Sequence, residues 1–217
     1  HLAPLARQVE QAAGEYVKIE ERVEFALALV KPEGFTPALD AAGAEIYTAE
    51  ILYPKDREHL LLSWQQMRER NAGDFGFHYD PYDFDSNPEK SCFEQMLAML
   101  NVAPGDVEDI YFTGALTNPA QTDFFVEYKD DKGKWRRYTP DFVVRKKDRR
   151  VLIVEVKAER DRDAITQGVG KEGKKRLALQ KWADLDPEKL KYEIFFSNSD
   201  VFTADQLAPA RRFVEGA

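Results

Sequence analysis

The run Val151 to Lys157, VLIVEVK, constrains this chain more than any other stretch. Its β-branched, near-continuous apolar character fits a strand covered on both faces, yet it carries two charges in its last three positions. Side chains alternate along a strand, so Glu155 and Lys157 share one side while Val154 and Val156 take the other. The preceding run, YTPDFVV from Tyr138 to Val144, is separated from it by the charged stretch Arg145 to Arg150, and a hairpin turning through Lys146 to Arg150 would bring Asp141 beside Glu155. Two carboxylates and an ammonium would then meet where the apolar pattern requires burial. That costs several kcal/mol unless the charges pair or hold a cation, and oxygen donors suit Mg²⁺ or Mn²⁺ better than a soft metal. The plain alternative is a strand with an ordinary Glu/Lys pair.

Upstream, Ser86 followed three residues later by Glu89, with Pro88 between, reads as a capping box opening a helix whose apolar stripe is Phe93, Met96, Leu97 and Leu100. Strands are expected over Val107 to Thr113, Thr122 to Tyr128, Lys134 to Val144 and Val151 to Val156, with Asp130 to Gly133 as a turn, which suggests an antiparallel meander. Pro140 calls for an edge or a bulge, and a bulge would aim Asp141 at the site. A helix from about Lys171 to Asp184 and a strand over Tyr192 to Phe196 close the pattern. Before Ser86, helical spacing runs from Leu5 to Val30, a strand is expected over Ile46 to Tyr53 and a helix over Asp56 to Arg70. The Gly-, Asp- and aromatic-rich stretch Asn71 to Asn87 reads as a loop. The expected organisation is a mainly helical or mixed extension over 1–80 and a second domain over 81–217.

The motif PDFVV followed by LIVEVK resembles the PD-(D/E)xK nuclease superfamily. Within it, YDFDSNPEKSCFEQML, FFVEYKDDKGKWRRYTPDFVV and LIVEVKAE are most similar to the C-terminal endonuclease domain of type III restriction enzymes and related helicase-fused nucleases, over roughly Tyr82 to Phe202. The resemblance implies an α/β (α+β) restriction-endonuclease-like core, a mixed central sheet flanked by helices. It implies Mg²⁺- or Mn²⁺-dependent hydrolysis of DNA in a restriction or defence setting. Asp141 and Glu155 would be ligands, joined by the Val156 main-chain carbonyl and by Glu89, with Glu94 as substitute. Lys157 would orient the nucleophile or stabilise the pentavalent state, and Gln180 matches the place of an extra active-site Gln or Lys. It further implies a helicase or ATPase motor as partner and allows a homodimer. The competing class is a non-catalytic module that keeps the fold to bind nucleic acid or a partner.

A net charge of -8 sits badly with nucleic-acid binding until its distribution is considered. Nine Lys/Arg fall between Lys132 and Arg150 against Asp141 and Asp148, and Lys171, Lys174, Lys175, Arg176 and Lys181 follow. Arg145, Lys146, Lys147, Lys174 and Lys175 are therefore candidate phosphate contacts. Gly168 to Lys175 satisfies GxGxxG and nearly a P-loop. However, it begins about ten residues after the nearest expected strand and has Lys175 where a hydroxyl is needed, so nucleotide binding is not expected. One cysteine, Cys92, excludes an internal disulfide or a structural zinc site, and His59 and His78 lack partners at ligand spacing. No apolar stretch approaches the ~20 residues of a membrane span and the N-terminus lacks the basic and apolar blocks of a signal peptide; with a single cysteine, a cytoplasmic protein is expected. A start at His1 rather than Met suggests a piece of a longer chain.

Overall fold

The computed structural model describes residues 28–49 and 51–216. The expected helix from Leu5 to Val30 falls outside these residues except for Ala28, Leu29 and Val30, which are not helical. The first pieces are an exposed hairpin, β1 (Thr36–Leu39) with β2 (Glu45–Thr48), and a two-residue pairing of β3 (Leu61–Leu62) with β4 (Tyr82–Asp83). The strand expected to reach Tyr53 thus stops at Thr48.

The helix expected over Asp56 to Arg70 is broken up. A 3-10 turn over Lys55–Leu60 leads into β3, and only α1 (Trp64–Met67) is α-helical. Ser63 starts α1 afresh: its hydroxyl accepts from Gln66 N while the Gln66 side chain accepts from Ser63 N. That local cap, together with the distant pairing to Tyr82–Asp83, overrides helical spacing. Leu62, Met67 and Phe75 are buried in the same cluster as Phe93 and Leu97.

The remaining elements are α2 (Asn87–Val102), β5 (Val107–Phe112), β6 (Val126–Lys129), β7 (Trp135–Tyr138), β8 (Phe142–Lys146), β9 (Val151–Ala158), α3 (Arg162–Thr166), α4 (Gly170–Leu185), β10 (Leu190–Ser197) and α5 (Ala208–Glu215). The main sheet has the order β10-β9-β8-β5, with β9 parallel to β10 and antiparallel to β8, and β8 antiparallel to β5. This mixed sheet between helices is the expected α/β, restriction-endonuclease-like class.

The meander is corrected. β6 pairs only with β7, as a separate two-stranded sheet, and β5 pairs with β8. The single run expected over Lys134 to Val144 is cut at Thr139 to Asp141, where the chain passes from one sheet to the other. Pro140 has no amide to offer a ladder, so the break falls there.

Alternation along the strands divides the core. Phe142, Val144, Leu152, Val154 and Val156 face a cluster with Phe93, Met96, Leu97 and Leu100 of α2 and Ala210 and Val214 of α5. Val143 and Ile153 face the other way, against Phe124, Val126 and Leu179 of α4. Cys92 is fully buried on the α2 side and free, as its apolar position predicts.

Lys146 and the glycine-rich run from Gly168 both take structural roles in this frame. Lys146 alternates with Phe142 and Val144 and is 1% exposed, its ammonium donating to the carbonyls of Phe213 and Val214 at the end of α5. A buried cation capping a helix C-terminus satisfies orphan carbonyls and the dipole; Lys146 is therefore not a phosphate contact, which corrects that expectation. The glycines of the GxGxxG run serve packing: a Cβ on Gly173 would sit 2.4 Å from the backbone carbon of Gly168, so the start of α4 lies directly on the loop before it.

Candidate active site

Asp141, Glu155, Lys157 and Glu89 line one cleft of about 280 Å³, joined by Lys175, Arg137 and Tyr138. Three elements deliver the charged groups. Antiparallel pairing of Phe142 with Val154 brings Asp141, just before β8, next to Val156, and the Val156 amide donates to Asp141 Oδ2 at 2.7 Å. The backbone of Asp141 is held from the opposite side, since Thr113 N and Gly114 N both donate to its carbonyl and Thr113 Oγ1 donates to Pro140 O at 2.6 Å. Glu155 and Lys157 follow Ile153 on the α4-facing side of β9, and Glu89 arrives from the first turn of α2.

Glu89 does not close the expected reciprocal box. Ser86 Oγ accepts from Glu89 N, but the Glu89 carboxylate accepts from Asp85 N at 2.9 Å instead of Ser86 N. The side chain is thereby turned toward the cleft that Asp85 also lines. Glu94, its substitute, does not line the cleft.

The electrostatics are those of crowded acids. Glu155 is 2% exposed; no N–H or O–H donor among the described residues reaches its Oε1, and the neighbouring Asp141 carboxyl is close enough to share a proton with it. Burial, then the Asp141 carboxylate, raises the Glu155 carboxyl to about 8 against the pull of Lys157. Burial, then Asp141, does the same for Glu89, also to about 8. Asp141 is raised by burial as well, though Lys157 and the Val156 amide oppose it. Lys157 lies 3.0 Å from Glu155 Oε2 and 3.1 Å from Glu172 Oε2. Burial pulls its ammonium down, but Glu155, Asp141 and Glu172 outweigh that and leave it raised. It is a fixed positive charge, protonated at any physiological pH.

Glu172 belongs to none of the sequence motifs that mark the site. From α4 it bridges Lys157 and Lys175, the latter at 2.9 Å, and Lys175 lies 4.9 Å from the centre of the Tyr138 ring. Its only local signal is the i, i+3 spacing to Lys175, a common feature of exposed helices.

The other candidates are scattered. Gln180 donates to Asp184 Oδ1 along α4 and does not line the cleft. Lys174 pairs with Asp131 in the hairpin turn. Arg145 pairs with Glu108 at 3.3 Å and stands across from Val151, at the far end of the β8–β9 ladder, about 13 Å from Asp141 by strand rise. Lys147 is exposed beyond it. Of Val156, the contact seen at the site is the amide rather than the carbonyl. His78 is not near the carboxylates: it bonds Asp109 at 2.9 Å and stacks on Tyr111.

Residues 116–196 match the family model described as the TnsA-like endonuclease N-terminal domain. The match spans Asp141, Glu155, Lys157, Glu172 and Lys175, and it starts beyond Glu89. It supports the restriction-endonuclease-like, PD-(D/E)xK superfamily for this part of the chain, and with it a nuclease; the likeness to type III enzymes is not part of it. No curated protein and no solved structure gave a significant match.

Nucleases of this superfamily usually use divalent metals, and the donor chemistry here fits. Among the described residues no three His, Cys, Asp or Glu side chains form a ready-made cage. The cleft nevertheless offers hard oxygens only, on acids that burial and mutual repulsion keep from ionising, with one Glu155 oxygen that no N–H or O–H donor among the described residues reaches. A divalent cation is the kind of counter-charge that would suit such a set.

A pH dependence follows from the raised carboxyls. Free Glu titrates near 4.3. Folded Glu89 and Glu155 hold their protons to about 8, so their stabilising effect is complete below the unfolded value and is lost as pH rises through the folded one. Each such proton contributes a slope of about 1.4 kcal/mol per pH unit in that window. The melting temperature in EDTA should fall from pH 5 to pH 8, and Mn²⁺ should raise it more at pH 8 than at pH 6, because below 8 the ion competes with protons. Thermal melts of wild type and Glu155→Gln check this; an equally steep fall in the variant would rule out Glu155 as a source.

Proposed function

We propose that this chain is an endonuclease that hydrolyses DNA phosphodiester bonds with Mg²⁺ or Mn²⁺. The observation that carries the reading is Glu155: a buried carboxyl that no N–H or O–H donor among the described residues satisfies at Oε1, crowded in one cleft with Asp141, Glu89 and a permanently charged Lys157. Asp141 and Glu155 would hold the ion, with Glu89 and the Val156 carbonyl adding ligands. When bound, such an ion supplies a lowered water pKa and neutralisation of charge on the phosphate.

The chain's own groups supply the rest. Because the Lys157 ammonium stays protonated, it donates to a phosphate oxygen and stabilises the charge growing there as water attacks and the ester oxygen leaves; it is not the base. Glu172 anchors that ammonium from the far side, so it need not swing when Glu155 turns to a cation. The Thr113 contacts fix the backbone of Asp141 before substrate arrives.

The helicase motor and the restriction setting rest on the type III resemblance alone, and the superfamily match neither adds to nor subtracts from them. The test is cleavage of plasmid DNA by purified protein. Nicking or cutting is expected with Mg²⁺ or Mn²⁺ and none in EDTA. Activity that survives EDTA unchanged overturns the metal reading, and DNA binding with no cleavage under any divalent ion would favour the non-catalytic module.

A further inference from the structure

Beside the carboxylate cleft lies a second depression of about 450 Å³, between the inner face of the β6–β7 hairpin and the start of α4. Tyr128, Arg136 and Tyr138 form its hairpin wall, consistent with the register that sets Tyr128 against Arg136. Lys171 and Lys175 form its helical wall, and Arg137, Tyr138 and Lys175 line both it and the cleft.

Its charge is one-sided. Four cations, Arg136, Arg137, Lys171 and Lys175, face it against one carboxylate, Asp130. Asp130 is spent on closing the hairpin turn: Oδ1 accepts from Lys132 N and Lys134 N, and Oδ2 from Arg136 Nε. Arg137 and Lys175 are shared with Glu127 and Glu172. Lys171 is exposed and makes no ion pair with any described residue. It sits in the first turn of the sixteen-residue α4, where the backbone amides add positive potential.

We propose that this depression binds the phosphate adjacent to the scissile one on the same nucleic-acid strand, with Lys171 and Arg136 as its contacts and Lys175 bridging to the cleft. The inference rests on the nuclease reading for the word scissile. A strand fits better than a free anion because the depression and the cleft are neighbours that share Arg137, Tyr138 and Lys175 as lining, so that one chain of phosphates can reach both. It also explains how a chain of net charge -8 grips DNA: Lys171, free of any ion pair with a described residue, stands at the site with Arg136, Arg137 and Lys175, while Lys146 is buried and Arg145 lies at the far end of the β8–β9 ladder.

Lys171→Glu is the probe, since Lys171 is exposed and holds nothing in the fold. Lys181→Glu is the control, the same charge change about 15 Å along the same helix. Binding of a fluorescent DNA is read by anisotropy in Ca²⁺ at several salt concentrations. Lys171→Glu should weaken binding about tenfold and reduce the salt slope by about 1, with Lys171→Arg restoring both. A single neutral methylphosphonate next to the cut site should weaken binding to wild type and have little further effect on Lys171→Glu. Equal losses in Lys171→Glu and Lys181→Glu, or a methylphosphonate penalty as large in the variant as in wild type, would overturn the proposal. If Lys171 governs binding but wild type cuts nothing in Mn²⁺, the nuclease reading fails and the depression stands as a strand-binding site.

Discussion

Asp141→Asn and Glu155→Gln should each lower DNA cleavage by at least about a hundredfold while making the metal-free protein more stable. Loss of activity follows from removing a charged oxygen from the donor set. The gain in stability follows from the cost of the native arrangement. Glu155 is buried beside Asp141, and its raised carboxyl means that folding opposes its ionisation. A neutral amide removes that opposition at pH 8 and keeps the shape. For Glu155→Gln at pH 8 the gain is up to about 4 kcal/mol, the slope of about 1.4 kcal/mol per pH unit taken from pH 5 to pH 8, or about 8–16 °C in melting temperature for a chain of this size. Asn at 141 can still accept from the Val156 amide. Thermal melts in EDTA, paired with Mn²⁺ titration calorimetry, read both effects. A variant that loses stability and retains Mn²⁺ affinity would mean that the carboxylate is structural.

Lys157→Met should behave in the opposite way. Cleavage should fall by about 10²–10³, the usual cost of losing a donor aimed at developing charge. The metal-free protein should lose about 1–3 kcal/mol, because the ammonium is shared by Glu155 and Glu172 and its removal leaves acids facing one another. Mn²⁺ should still bind, an ammonium being no ligand, and should raise the melting temperature more in this variant than in wild type, since the ion becomes the main counter-charge. Mn²⁺ binding lost together with cleavage would show that the lysine builds the site instead of working in it.

These opposite signs come from residues legible in the sequence. An apolar strand ending in Glu-x-Lys, a hairpin-forming turn and a Pro-Asp just before the partner strand require only period-two alternation and short-range pairing, and the structure pairs β8 with β9 as expected. The helix after Ser86 was equally local. What failed depended on contacts distant in sequence. Lys146 looked like any lysine in a basic run, and nothing nearby announces that α5, over sixty residues later, lays its last carbonyls on that ammonium. Glu172 resembled an ordinary helical ion pair because its importance arises only once α4 packs beside β9. The helix expected over Asp56 to Arg70 gave way to a pairing with Tyr82–Asp83, and the meander gave way because β5, not β6, takes the edge of β8.

The Thr113 contacts at Pro140 and Asp141 have a mechanical meaning. The hairpin that lines both depressions runs straight into Asp141 with only Thr139 and Pro140 between, so any tug on the hairpin would reach the carboxylate if the chain were free there. A side-chain hydroxyl and two amides from the end of β5 anchor that junction to the main sheet. Displacement of the hairpin is grounded at Pro140 and does not reach Asp141. A change in the length or sequence of the turn at Asp130 to Gly133 would therefore alter the depression beside α4 while leaving the position of Asp141 unmoved.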